Sequence, residues 1–222
     1  MTEPDILGGL HFWIGCGAIA AGFAAFAARK GRPVHRKAGA LFVITMGLLT
    51  LSGLWMSLSR EILFTVFLSA ISFHALMTGW AAARYQDRPA RWITRGAPFS
   101  SALIAFGGVA GGLLAAASPD GMLNDLPPGA FYGLAGVAAV LCALDVIFAR
   151  KSLPQPHLRL TRHLWRMGFS FFLATGIFFF GNNHVLPDAL RTPVFLTLPV
   201  LAVVGWTVVY AVRTRFRRAV PG

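Results

Sequence analysis

Seven long apolar segments alternate with short polar connections along the chain. They fall at residues 8–28, 38–58, 62–84, 99–117, 130–149, 164–181 and 193–212. A helix needs about 20 mainly apolar residues to cross the hydrocarbon core of a bilayer, and each segment is close to that length. The pattern predicts an all-α integral membrane protein, organised as one domain that is a bundle of seven transmembrane helices.

Charged residues are distributed unequally between the two sides of this predicted bundle. Of the 20 Arg and Lys residues, all but Arg60 and Arg191 fall in the first, third and fifth connections, at the adjoining helix ends or in the C-terminal tail. Most acidic residues fall on the other side: Glu3, Asp5, Glu61, Asp120, Asp125 and Asp188. By the positive-inside rule, the N-terminus is predicted outside and the C-terminus in the cytoplasm.

Composition supports the membrane assignment and narrows the partners. The chain is 56% hydrophobic and 13% charged over 222 residues, more apolar surface than one soluble core can bury. Its net charge of +12 comes from clusters between apolar runs, a pattern typical of contact with anionic lipid rather than nucleic acid. We therefore expect a multi-pass protein of the inner (plasma) membrane, with anionic lipid at its cytoplasmic face and no nucleic-acid partner.

Sequence motifs of soluble enzymes are absent from the chain. The sequence contains no GxxxxGK[ST], HExxH, GxSxG or CxxC, and the two cysteines lie in apolar stretches, where they act as small core residues. Soluble-enzyme chemistry is not expected, and whether the chain catalyses a reaction stays open.

Two histidines within the predicted spans are candidates for chemistry in the bilayer. His74 lies near the middle of the third span on a face of small residues, which predicts that it faces protein. It is a candidate haem ligand or proton-relay group, or a neutral histidine bonded to a backbone carbonyl. His11, near the outer end of the first span, is the candidate second ligand of a haem iron, or an interfacial histidine that reaches toward water.

Other candidates lie at the cytoplasmic starts of two spans. His35 and His163 stand beside arginines there, where free backbone amides and the helix dipole favour an anion. With Arg36, Arg162 and Arg166 they would suit a haem propionate, a quinone headgroup or a lipid phosphate. The alternative is that these arginines only set topology and bind anionic lipid without specificity.

Asp145 is a carboxylate inside the fifth span, near its cytoplasmic end. It is a candidate proton acceptor, in a relay with His74, or the partner of one of the arginines. Ion pairing lowers the cost of burying a carboxylate, so the second interpretation is favoured.

Three segments carry a resemblance to known proteins: AARKGRPVHRKAGALFV, FHALMTGWAAAR and HLWRMGFSFFLATGIFFFGN. They resemble an uncharacterised family of bacterial multi-span membrane proteins, annotated only as a domain of unknown function. More distantly, histidines on several helices are similar to the cytochrome b561-like two-haem bundles. The first resemblance implies a membrane location, and the second implies haem b bound by helix-borne histidines.

These observations support two classes of function. One is a b-type haem or quinone-linked electron carrier that uses His11, His74, His35 and His163 and works with a membrane redox partner. The alternative is a proton-coupled small-molecule transporter that uses His74 and Asp145, or a lipid-binding accessory subunit of a membrane complex.

Overall fold

The computed structural model describes residues 6–151 and 153–216 and confirms seven long helices. They are α1 (Ile6–Ala27), α2 (Pro33–Ser59), α3 (Leu63–Ala83), α4 (Arg88–Ala117), α5 (Pro128–Ala149), α6 (Pro156–Gly176) and α7 (Pro193–Phe216). A π-helical turn, Ile177–Gly181, extends α6. Each of the seven is long and apolar enough to cross a membrane. The acidic residues Glu3 and Asp5 and the basic tail after residue 216 lie outside the described residues.

Several helices begin earlier than the hydropathy pattern predicts. The spans predicted from residues 38, 99 and 164 lie within longer helices, since α2, α4 and α6 begin at Pro33, Arg88 and Pro156. Their first turns are polar, which hides them from a pattern based on apolar residues. Proline at the first positions of a helix has no amide hydrogen to lose and a backbone angle already suited to the helix. His35 and Arg36 therefore lie within α2 rather than in a loop before it.

Helices α3 and α6 form the centre of the bundle. Helix α3 packs against α2, α4, α5 and α6, and α6 also contacts α1 and α7. The α1–α2 pair contacts this centre through both α3 and α6, and the α4–α5 pair contacts it through α3. Residues on facing surfaces of α3 and α6 are thus the ones most enclosed by protein.

An aromatic core lies where α1, α2 and α6 meet. Phe171 is fully buried, and its ring lies 5.0–5.5 Å from those of Phe23, Phe26 and Phe42. Gly22 makes room for it, because a β-carbon added at Gly22 would meet the Phe171 ring 2.5 Å away. The face of α1 that carries Gly22 is therefore a packing surface. Phe26 also belongs to this core.

The two ends of the bundle differ in their charges. We call the end formed by the α1–α2, α3–α4 and α5–α6 connections the basic end. At the opposite end, the Asn124 side chain joins two connections, since it accepts from Leu63 N at 2.9 Å and donates to Glu61 O at 3.0 Å. This link fixes the α2–α3 hairpin against the loop between α4 and α5.

Close approach of α3 and α6 depends on Gly79. A β-carbon there would lie 2.9 Å from Arg166 Cβ and 3.2 Å from the backbone nitrogen of Met167. Neither atom is the end of a flexible side chain, so the helices themselves would have to separate. Gly136 on α5, by contrast, has no heavy atom of the described residues within 4 Å of an added β-carbon.

We expect Gly79→Ala to destabilise the bundle by about 1–3 kcal/mol, the usual cost of overpacking. Gly136→Ala is the matched control and should leave stability unchanged or slightly raised. Thermal unfolding of the purified variants in detergent measures both effects. Equal melting temperatures for the two variants would contradict the close packing of α3 on α6.

Candidate functional site

The candidate site is a network of hydrogen bonds centred on Asp145, which is fully buried. Its Oδ1 accepts from Arg162 Nη2 at 2.7 Å and from Arg166 Nη2 at 2.5 Å. Its Oδ2 lies 2.8 Å from His74 Nε2 and accepts from the Ser101 hydroxyl at 3.1 Å. One carboxylate thus joins four side chains from three other helices, and the predicted pairing of Asp145 with arginine is confirmed.

Helical spacing explains how these side chains meet. Arg162 and Arg166 are four residues apart on α6, so they lie one above the other on the same face. Helix α3 brings His74, α4 brings Ser101 and α5 brings Asp145. Both arginines are at least nine-tenths buried, with 8% and 4% exposure, so their charges are removed from solvent.

The network holds more positive than negative charge. Two guanidinium groups share one carboxylate, and Arg166 Nη2 also donates to Leu141 O at 3.1 Å. Arg162 lies over the Phe148 ring at 4.3 Å, which supplies a weak cation–π attraction. Among the described residues, Arg162 Nε and Arg166 Nη1 are nevertheless buried without a hydrogen-bond partner. Unsatisfied buried donors are costly, so a further anionic or polar group at these atoms would stabilise the network.

His74 is hydrogen-bonded through both ring nitrogens. Besides the contact with Asp145, its Nδ1 lies 3.0 Å from the Ser100 hydroxyl, which can instead donate to Ala97 O at 3.1 Å. A protonated His74 donates to both Asp145 and Ser100, while the hydroxyl donates to Ala97 O. A neutral His74 accepts at Nδ1 if the Ser100 hydroxyl turns toward it. Both hydrogen bonds are therefore compatible with a neutral ring and with a protonated one.

The remaining predicted site residues lie outside this network. His11 on α1 binds the Ser52 hydroxyl through Nδ1 at 2.8 Å, so its partner is on α2 and not on the helices around Asp145. Arg36 is exposed in the first turn of α2. The structure thus brings His74, Asp145, Arg162 and Arg166 together, and it places His11 and Arg36 in other surroundings.

His35 and His163 are fixed in the same way as one another. His35 Nδ1 lies 2.9 Å from Ala25 O, and His163 Nδ1 lies 3.0 Å from Gly79 O. Donation from Nδ1 to a carbonyl leaves the Nε2 lone pair as the ring acceptor. Lys30 stands nearby in the α1–α2 connection, capping α1 through Ala25 O and Phe26 O at 3.0 and 2.8 Å. Burial lowers the pKa of Lys30 to about 8, so it is still mostly charged at neutral pH and loses its charge as the pH rises through that value.

Haem ligation by His74 would require an iron ligand bond to replace one of its two hydrogen bonds. An axial ligand needs a nitrogen lone pair free for iron, and both nitrogens of His74 are engaged. Among residues 6–151 and 153–216, no group of three or more His, Cys, Asp or Glu side chains is arranged to hold a metal ion. The hypothesis of haem at His11 and His74 stays a prediction.

Sequence reasoning missed Ser100 and Ser101. The only signal for them in the sequence was that two adjacent hydroxyl residues stand near the start of an apolar segment. Their role could not be read from that pair alone, because serine side chains in helices often bond only to carbonyls of their own helix. Both do so here at Ala97 O, in addition to their contacts with His74 and Asp145.

Comparisons with protein-family models, with curated proteins and with solved structures find no match for this chain.

We expect Asp145→Asn to lower the free energy of unfolding by about 3–5 kcal/mol, because it leaves two buried arginines without their carboxylate. Asp188→Asn is the control, since Asp188 pairs with Arg191 at 2.7 Å on the surface and such a pair contributes about 0–1 kcal/mol. Unfolding in detergent, followed by near-UV circular dichroism, measures the difference. Similar losses in both variants would show that the Asp145 pairs do not stabilise the bundle.

Proposed function

We propose that this protein is a proton-coupled transporter of a small anion, with His74 and Asp145 carrying the proton. The observation that supports it most is the position of His74 between Asp145 and Ser100, hydrogen-bonded on both sides. Ionisable groups inside a membrane are costly, and those that persist are commonly used to move protons or ions.

The charges around Asp145 indicate that the transported ion is an anion. With His74 neutral, two arginines and one carboxylate leave one uncompensated positive charge. Protonation of His74 or of Asp145 raises that excess by one. An anion bound at Arg162 Nε and Arg166 Nη1 would balance the charge and satisfy donors that have no partner within the described chain.

Coupling is a consequence of this electrostatic arrangement. The proton makes the site more positive and so strengthens anion binding, and by linkage the anion strengthens proton binding to the same degree. Proton and anion would then bind together and be released together, with no net movement of charge. A small carboxylate or an inorganic anion has the size and charge that two guanidinium groups recognise.

The proposed orientation places the basic end in the cytoplasm of a bacterial cell. The distribution of Arg and Lys supports this choice, because positively charged connections are retained on the cytoplasmic side. Anionic lipid of the inner membrane would contact the same face. In this orientation the network around Asp145 lies closer to the cytoplasm than to the outside.

Transport by the reconstituted protein is the direct test. Small anions such as acetate, phosphate and chloride are tested one at a time in proteoliposomes with a pH gradient. We expect one of them to accumulate together with the proton influx. His74→Gln should abolish accumulation driven by the gradient, because glutamine keeps hydrogen-bonding groups but carries no titratable proton. His157→Gln, which changes a histidine outside the network, should transport like the wild type.

The readout is uptake of labelled anion together with acidification reported by an entrapped dye. Gradient-driven uptake by His74→Gln at the wild-type rate would exclude a proton role for His74. If no anion moves with the wild-type protein, the transport proposal fails and a lipid-binding accessory subunit becomes the better interpretation.

A second proposal is a b-type haem or quinone-linked electron carrier. The observation that favours it is the pair His35 and His163, each oriented by a backbone carbonyl so that Nε2 is available, as in ligating histidines. If this proposal is right, protein purified gently after expression with ample haem should show a Soret band that His163→Ala removes or shifts. His157→Ala should leave that spectrum unchanged, and absence of the band in the wild type would exclude haem.

A further inference from the structure

A cavity of about 270 Å³ opens between α4 and the end of α5 at the basic end. It is lined by Tyr85, Thr94, Arg95, Ala149, Arg150 and Lys151. Three of these side chains carry a positive charge, and none of the six is acidic. A cavity with this lining has the electrostatic character of an anion site.

A second, larger cavity of about 440 Å³ adjoins the first and shares Tyr85 with it. It adds Arg91 and Arg159 to the cationic lining. Arg159 lies over the Tyr85 ring at 5.8 Å, and its Nε is buried without a hydrogen-bond partner in the described chain. The two cavities together therefore carry five cationic side chains.

Thr94 distinguishes the first cavity from a merely basic surface. Thr94 lines the cavity and is 3% exposed, and its buried hydroxyl has no hydrogen-bond partner within the described residues. A hydroxyl on a helix can usually bond to a carbonyl one turn back, as Ser101 does with Ala97 O at 2.7 Å. A buried hydroxyl left without a partner in a cationic cavity is placed to contact a bound oxyanion.

The cavity lies nearer the basic end than the network around Asp145, along the same two helices, α4 and α5. Ala149 follows Asp145 by one turn on α5, about 6 Å along the helix, and Thr94 precedes Ser101 by two turns on α4. Both pairs share a helix face, so the cavity and the network are stacked along the same interface. The cavity is nevertheless separate from the network, because neither Asp145 nor Arg166 lines it.

We propose that this cavity binds a phosphate group, held by Arg95, Arg150 and Lys151 and by the Thr94 hydroxyl. Arginine forms paired hydrogen bonds with phosphate oxygens, and lysine adds a compact positive charge. The phosphate can belong to an anionic lipid headgroup or to a soluble molecule from the aqueous side. The assignment does not depend on transport, since binding at this site requires no movement of an ion through the bundle.

The test uses the full chain in nanodiscs of phosphatidylcholine alone and in nanodiscs that also contain phosphatidylglycerol. In the first, equilibrium binding of radiolabelled inorganic phosphate reports a soluble ligand. In the second, native mass spectrometry reports phosphatidylglycerol retained on the protein. Arg95→Gln should weaken whichever ligand binds by roughly ten-fold or more, the loss expected for a charge-assisted hydrogen bond.

Thr94→Val provides a variant that should still fold, because it replaces an unpartnered hydroxyl by a methyl group of similar size. We expect unchanged or higher thermal stability together with phosphate binding that is at least a few-fold weaker. Arg88→Gln is the matched control, since Arg88 is an exposed arginine on α4 that lines neither cavity, and its binding should equal that of the wild type.

Binding of inorganic phosphate in phosphatidylcholine nanodiscs would support a soluble ligand, and retention of phosphatidylglycerol alone would support a lipid headgroup. Two results would overturn the proposal. One is absence of both kinds of binding, and the other is equal weakening by Arg95→Gln and Arg88→Gln, which would show attraction to surface charge in general.

Discussion

The burial of Asp145 is the constraint on which the rest of this structure depends. A carboxylate within an apolar bundle is costly unless its charge is paired and its oxygens accept hydrogen bonds. Both conditions are met by groups from α3, α4 and α6, so three helices must hold a fixed position around α5. Attraction between apolar surfaces gives little orientation in a lipid environment, whereas these contacts specify which helix faces meet.

The same constraint determines the close contact between α3 and α6. Arg166 reaches Asp145 because its backbone lies against Gly79, where a side chain would hold the helices apart. One turn earlier on α6, His163 bonds to the carbonyl of Gly79 itself. Gly79 therefore sets the register of α6 against α3. The register of α6 in turn fixes the positions of the His163 and Arg166 side chains near the basic end.

Cationic side chains lie at two different depths along one interface of the bundle. The cavity lined by Arg95, Arg150 and Lys151 lies at the basic end, and the buried arginines around Asp145 lie above it. An anion that approaches this end first meets side chains in contact with water and then, one or two helix turns deeper, guanidinium groups removed from water. Electrostatic attraction strengthens with depth as the surroundings become less polar, while the cost of removing the anion's water also rises. His74, whose two hydrogen bonds fit either a neutral or a protonated ring, is at the deeper of the two levels.

The sequence by itself determined the all-α class, the seven long apolar helices and the pairing of Asp145 with arginine, because each follows from local physics. Apolar length predicts a helix that could span a membrane, and a lone carboxylate near arginines on the next helix has few other partners. The apolar pattern does not mark where the helices begin, since polar first turns such as that of α2 carry no apolar signal. Only the tertiary structure decided which histidines serve the network. His74 and His11 look alike as histidines in apolar segments, yet one binds Asp145 and the other Ser52. Which histidine contacts Asp145 depends on which helices are neighbours. Because the helices are all similarly apolar, their neighbours are decided by small residues and buried polar contacts, which form only when the chain folds.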